Sequence, residues 1–405
     1  MERAIGFCQH LPRLGWRPLV LTADPRAYEA VSDERVGDIP QSVAVQRAFA
    51  LDAARHLSFL GRYPRFAALP DRWISWLIGA VPAGWRMVRR HRPLVIWSTY
   101  PIATAHLVGY LLSRLTRLPW IADFRDPMVE RDERTGTSYP TDARLRASRL
   151  WVESLVASRA AGVVFCTDAA AAIFARRYSA YPTERIHVIA NGYSEAAFAT
   201  ARGEDGGAAP GRLTLVHSGI LYPGHDRDPR AFFRALRALI DAQPWWQKRL
   251  RVVLRATGFD AEYRPDLARL RLEDCVELAP PVPYRDALGE MLTADALLVF
   301  QGHASNPAIP AKVYEYLRAR RPIFALVDAL GSTAALLRTE GVGTLAPIDD
   351  PEAIGAALAG FLLEIESGHA KVLTQERATR FERGHRAVEL AKLLDSFVAP
   401  RAHAS

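Results

Sequence analysis

The sequence predicts an α/β protein built from two Rossmann-like domains that face each other across a cleft. Three observations carry that expectation. Short apolar runs alternate with helical patterns almost throughout, as a parallel sheet covered on both faces by helices requires. The alternation halts once, in a stretch of Gly, Ala, Pro and charge, and then restarts. The length of 405 residues, with 49% hydrophobic and 24% charged residues, suits an ordinary globular chain of about two or three domains.

The elements follow in order. "RPLVLTA" (17–23) reads as a strand, and so does "PLVIWSTYP" (93–101), which leads into the helix "IATAHLVGYLLSRLTRL". "PWIADFRDP" (119–127) is a strand ending in charge. A long helix over about 141–161, the strand "AGVVFCTD", a helix near 169–179 and "RIHVIANGY" complete an N-terminal domain over 1–198. Residues 199–212, "ATARGEDGGAAPGR", have no periodicity and read as the linker.

The second domain spans 213–377. Its strands are "LTLVHSG", "LRVVLRATG", "CVELAPPV", "DALLVFQG", "RPIFALVD" and "VGTLAPID", with helices between the earlier ones. Residues 378–405 hold a final long helical pattern. Ligands of such sheets bind beyond the carboxyl ends of the strands, and a crevice between two domains is a preferred small-molecule site.

Composition narrows the function. Lys and Arg total 52 against 44 Asp and Glu, a net charge of +8. That surplus points to an anionic partner. The chain has no Cys/His finger and no aromatic RNA-binding strand, so nucleic acid is not expected. A nucleotide or a membrane surface fits better. Three well-separated cysteines, Cys8, Cys166 and Cys275, match no metal spacing and read as reduced thiols of a cytoplasmic protein. No run reaches the length of a membrane span, and Pro12, Arg13 and Arg17 spoil any secretory leader in the first residues.

One stretch has chemistry of its own. In "PAIPAKVYEYLRARRPIFAL" (307–326), Lys312 falls in the first turn of a helix, where the helix dipole disfavours a cation. Glu315 lies three residues on, along the same face. Either the two form a solvated pair, or the lysine is there to meet an anion.

"HSGILYPGHDRDPRAF", "VIANGY", "PWIADFRDPM" and "PAKVYEYLRARRPIFAL" together resemble the GT-B glycosyltransferases, specifically the family 4-like group that uses nucleotide sugars. The order and spacing match over nearly the whole chain. The resemblance implies an N-terminal acceptor domain, a C-terminal nucleotide-sugar domain and a last helix that packs back on the first domain. It implies a UDP- or GDP-sugar donor, a glycan or lipid-linked acceptor, retention of configuration, and no metal or other cofactor. Positioning and electrostatics then carry the catalysis.

The resemblance also assigns residues. Glu315 matches the glutamate that holds the nucleotide ribose. Lys312 would add charge near the diphosphate. Ser218 and Gly219 end a strand where backbone can approach the ligand. Arg227 lies near the place of a phosphate-binding lysine, although Asp226 or Asp228 could simply pair with it. Ile220 or Leu221 fills the family's first basic position, and Pro307 stands where many members carry an acidic residue. Arg255 could reach the donor or brace a loop, and His303 faces the donor side or is structural. In the first domain, Asp123, Arg125 and Asp126 could orient or deprotonate the acceptor hydroxyl, or form an ion-pair knot. His106 could face acceptor or sugar, or serve the core.

Two further expectations complete the reading. Family members begin with a strand and a glycine-rich loop, whereas "MERAIGFCQHLPRLGW" matches the helix that follows them. The first strand is therefore expected to be missing, leaving an unpaired edge. The segment 71–93 combines Trp73, Trp76 and Trp85 with Arg86, Arg89, Arg90 and Arg92, a composition suited to the inner face of an anionic membrane or to packing on the sheet, with Pro82 as a break. Two other functions share these features: a GT-B nucleotide-sugar epimerase and a non-catalytic nucleotide-sugar-binding protein.

Overall fold

The computed structural model describes residues 2–29, 37–58, 62–132, 134–201, 211–224 and 226–398; most of the expected linker, 202–210, lies outside them. The chain divides into two compact units. One comprises Met1–Ala190 with Arg383–Ser405, the other Asn191–Glu382. The second unit thus takes up residues 191–198, and the last helix, Arg383–Val398, packs against the first helix, Glu2–His10.

In the first unit, β3 (Ile96–Thr99), β4 (Trp120–Arg125), β7 (Gly162–Phe165) and β8 (Ile186–Val188) form a parallel sheet in that order. Among the described residues β1 (Leu19–Ala23) and β2 (Ala44–Ala48) pair in parallel with each other only. A short antiparallel hairpin, β5 (Glu130–Arg131) and β6 (Ser138–Tyr139), follows β4. The expected single sheet is therefore two: β1 and β3 both end a sheet among the described residues. β2 lies outside the strands expected from the sequence, because its short alternation holds only Ala44, Val45 and Ala48 as apolar positions.

Local signals explain the helices. Asp142 caps Ala143–Arg159 by accepting from Leu145 N, and Thr167 caps Asp168–Arg177 through Ala170 N. The helix Trp76–His91 runs through Pro82 rather than breaking there. Its Pro82 and Ile78 are exposed, so the carbonyl that proline leaves without a partner can meet water. Trp76 is buried, and Trp73 donates its indole N–H to Ala27 O, which leaves Trp85 as the exposed tryptophan of the three.

The second unit is a six-stranded parallel sheet: β9 (Leu213–Ser218), β10 (Leu250–Arg255), β11 (Val276–Ala279), β12 (Ala296–Phe300), β13 (Ile323–Leu326) and β14 (Thr344–Ala346). Their spatial order is β11-β10-β9-β12-β13-β14. All of β12 and β13 is buried, matching their unbroken apolar sequence. Phe232, Phe233, Leu254, Leu298, Phe324 and Phe361 belong to its core. From β9 the chain winds outward to β11, then returns beside β9 and winds the other way. The topological switch point lies between β9 and β12, and ligands of such sheets bind beyond the carboxyl ends of strands at that point.

Candidate donor and acceptor sites

At the switch point β9 and β12 are paired only through Leu215–Ala296 and Val216–Leu297. Beyond these positions the strands part. The His217 ring occupies the opening: its Nδ1 lies 2.9 Å from Leu298 O and donates to it, and the residue is fully buried. The imidazole packs edge-on against Phe300, with centroids 5.1 Å apart. Burial, with Lys312 and Arg227 nearby, pushes the His217 pKa well down, so the ring is neutral.

Lys312 comes to the same place from the helix Ala311–Ala319. That helix has no side-chain cap and no acidic residue in its first turn. The Lys312 ammonium donates to Ser218 O and lies 3.4 Å from His217 Nε2. Gly219 beneath it has φ +122°, and a Cβ there would stand 2.6 Å from Lys312 Nζ. Burial and then the Arg227 guanidinium lower the Lys312 pKa to about 7, against the opposing pull of Glu315. A lysine held at that pKa is poised to take a full charge when an anion arrives.

Three polar atoms at the end of β9 and in the loops beyond the strands are buried without a hydrogen-bond partner: Ser218 Oγ, Arg227 Nε and His303 Nε2, the last 3.8 Å from Asp349 Oδ2. Such atoms call for an explanation, and a ligand is one. Asp226 lies 3.5 Å from Arg227 Nε, but its carboxylate is already taken by the backbone N–H and hydroxyl of Ser305. Asp226 therefore ties Arg227's loop to the loop after β12. Gly302 permits that approach, since a Cβ there would meet Asp226 O at 2.2 Å. His303 Nδ1 lies 2.6 Å from Asp328 Oδ2, which also accepts from Asn306. Glu315 is buried and accepts from the Tyr284 hydroxyl at 2.5 Å. Arg255 stands apart: it clasps both oxygens of Glu290 at 2.6 Å and donates to Pro280 O, which is the bracing arrangement.

In the first unit the three charged residues at the end of β4 divide. Asp123 is buried and accepts from Arg3 Nε at 3.1 Å, Arg3 Nη2 at 3.3 Å and Thr99 Oγ1 at 2.9 Å. Arg3 also donates to Ala190 O, so Asp123 and Arg3 form a structural ion pair. Arg125 has φ +61° where β4 slips register against β7, and its Nη1 donates to Tyr100 O. Asp126 Oδ1 is buried without a partner, as is Arg125 Nε. Burial raises the Asp126 pKa against the opposing pull of Arg125 and Arg3, and Asp123 adds to the rise.

His106 lies in the core. Trp120 Nε1 donates to Ser98 Oγ at 2.8 Å, Ser98 Oγ lies 2.7 Å from His106 Nδ1, and His106 Nε2 is buried with no hydrogen-bond partner. The ring has no exposed surface and burial takes its pKa down to about 3. That placement fits the core role and keeps the ring from any acceptor at the surface. Sequence reasoning passed over Arg3, His217 and Tyr284, and saw Asp226 only as a pairing partner for Arg227. Of these only His217 carried a signal, a lone histidine in an otherwise apolar strand end.

Comparisons with known proteins bear on both units. Residues 3–192 match the model of the glycosyl transferase 4-like domain. The D-inositol 3-phosphate glycosyltransferase of Kineococcus radiotolerans is 26% identical over 309 residues, 73% of this chain and 69% of that protein. Among solved structures, sucrose-phosphate synthase from Thermosynechococcus elongatus aligns with a TM-score of 0.68 and 17% identity over 97% of this chain and 92% of that one. Anabaena HepE in complex with UDP and glucose aligns with a TM-score of 0.64 and 16% identity over 97% and 95%.

Proposed function

We propose that this chain, which is a glycosyltransferase of the GT-B fold with a glycosyl transferase 4-like domain over residues 3–192, transfers a sugar from a UDP- or GDP-sugar to a glycan or lipid-linked acceptor in polysaccharide assembly. The observation that carries the donor half is the Lys312 ammonium lying over Gly219 at the switch point of the second sheet. The leaving group is a nucleoside diphosphate. Lys312 and Arg227 supply the positive charge that stabilises it, without calling on a metal. Glu315, held by Tyr284, takes the ribose hydroxyls. Asp126 orients the acceptor hydroxyl, since of the two aspartates at the end of β4 it is the one with a carboxylate oxygen that has no hydrogen-bond partner. Retention of configuration is part of the same proposal. The UDP in the Anabaena HepE structures makes UDP the first nucleotide to try.

Calorimetric titration with UDP and GDP tests the donor site, and incubation of UDP- and GDP-sugars with candidate acceptors tests the reaction. Tight binding of one nucleotide and acceptor-dependent release of it are expected. Failure of both nucleotides to bind overturns the proposal. Turnover of donor alone to a new sugar nucleotide would make the protein an epimerase, and binding without turnover would make it a carrier.

A second element concerns the acceptor's surroundings. Ile78, Pro82, Trp85 and Arg89 recur at helical spacing on the exposed side of the helix Trp76–His91, with exposed Arg86 and Arg90 beside them. Arg89 lies over the Trp85 ring, 5.2 Å from its centroid. An apolar strip flanked by arginines suits an anionic bilayer, where a lipid-linked acceptor would reside. No helix among the described residues is long and apolar enough to cross a membrane. Co-sedimentation with vesicles containing phosphatidylglycerol, and its loss in an Ile78→Asp, Trp85→Ser double variant, is the expected result. Equal sedimentation with neutral vesicles, or none, rejects the contact.

A further inference from the structure

We propose that His217 is a positioning residue for the donor diphosphate, a buried neutral acceptor that fixes the direction of the Lys312 ammonium. This rests on the donor site described above. Where β9 and β12 part, Leu298 O takes its hydrogen bond from His217 Nδ1 at 2.9 Å. The bond sets the tautomer: the proton is on Nδ1, and Nε2 presents a lone pair. Nε2 lies 3.4 Å from Lys312 Nζ. Ser218 O takes a second ammonium hydrogen. Two of the three N–H bonds are thereby directed inward by groups that cannot move, one a strand carbonyl and the other an imidazole wedged against Phe300.

The third hydrogen and the remaining charge are left for a ligand. A lysine has a long flexible stem and a charge without direction of its own, so an ammonium that must meet one phosphoryl oxygen needs such fixing. A neutral ring serves better than a charged one. Protonated, Nε2 would donate rather than accept and would repel the ammonium. The depressed His217 pKa agrees with this use.

Two substitutions separate positioning from packing. His217→Asn keeps a donor near Leu298 O but has nothing at the place of Nε2. His217→Gln reaches the place of Nε2 with an acceptor for Lys312. The probes are UDP and uridine, with GDP and guanosine alongside, measured by calorimetry on the full chain. The wild type is expected to bind the diphosphate more tightly than the nucleoside. His217→Asn should cut that preference about tenfold, His217→Gln should hold it within about threefold, and nucleoside affinity should not change. In a Lys312→Met background, His217→Asn should have no further effect on the preference.

Equal losses in the two variants, or a larger loss in His217→Gln, would show that His217 only packs the sheet and would overturn the proposal. Should either variant fail to fold, nitrogen NMR of the wild-type histidines decides. A proton on Nδ1, with an Nε2 resonance that moves on adding UDP but not uridine, is the expected result; a proton on Nε2 overturns it. If the wild type binds neither nucleotide, the donor site itself is wrong, whereas nucleotide binding with His217→Asn indifferent removes His217 alone.

Discussion

Gly219 and Lys312 fit together as a socket and its plug: a Cβ on the glycine would stand 2.6 Å from the lysine nitrogen, well inside contact distance. The glycine also has φ +122°, a conformation that a side chain resists. Gly219→Ala is therefore expected to do two things. Backbone strain and displacement of the ammonium should cost about 1–3 kcal/mol of stability. Nucleoside diphosphate affinity should fall by at least about tenfold. Thermal melting and UDP titration measure the two, and an unchanged affinity would mean that the lysine does not act where it lies.

Burying that lysine is costly in the absence of a ligand. Its pKa falls from 10.5 unfolded to about 7 folded. Below about pH 7 both states hold the proton and the folded state bears the whole penalty. Between pH 7 and 10.5 the folded state sheds a proton that the unfolded chain keeps, so this group's penalty shrinks as pH rises. Lys312→Met should stabilise the nucleotide-free protein by on the order of 1–4 kcal/mol at pH 6–7, with the difference vanishing by about pH 10.5, while UDP binding collapses. Wild-type affinity for UDP should weaken as pH rises above about 7, by at most about tenfold per unit, with proton uptake on binding. Melting curves and titrations across that range check both signs.

Glu315 provides an independent test, because the proposal sets it on the ribose and not on the phosphates. Tyr284 donates to its Oε1 at 2.5 Å. Glu315→Ala should lower UDP and uridine affinity alike by about 1.5–3 kcal/mol, the range of a hydrogen bond to a charged group. Tyr284→Phe should cost less, since it only loosens the carboxylate. An effect confined to UDP would contradict the ribose assignment.

How legible this was depended on what made each feature. Buried parallel strands such as "ALLVF" and "IFAL" are apolar throughout, so the second sheet was readable from pattern alone. Lys312 was readable because it breaks a local rule for helix starts. β2 was not, because its alternation is brief. The fate of "DFRDP" was not, because the partner of Asp123 is Arg3, distant in sequence and brought in by a helix packed on the sheet. Pro82 misled for a different reason: a proline stops a helix only where the freed carbonyl has no alternative, and Ile78 faces water. His106 carried no sign of its burial, since a histidine in a helix reads the same whether it meets Ser98 or solvent.

The two aspartates at the end of β4 should separate cleanly in experiment. Asp123 is locked to Arg3 in a nearly dry setting, and removing one member of such a pair leaves the other charge uncompensated. Asp123→Asn is expected to cost about 3–5 kcal/mol of stability, and Arg3→Met a similar amount, with turnover per folded molecule less affected. Asp126 has no such bond on its Oδ1, and its raised pKa reflects burial beside Asp123. Asp126→Asn relieves that burial, so stability should hold or rise, while kcat should fall by about 10²-fold or more if the carboxylate orients the acceptor hydroxyl. Because the folded pKa of Asp126 is raised, its ionisation destabilises the fold as pH climbs through the carboxylate range, and Asp126→Asn should remove that dependence. Denaturant unfolding and steady-state kinetics on both variants test the contrast. Loss of turnover in Asp123→Asn at full folding, with Asp126→Asn active, would exchange the two roles.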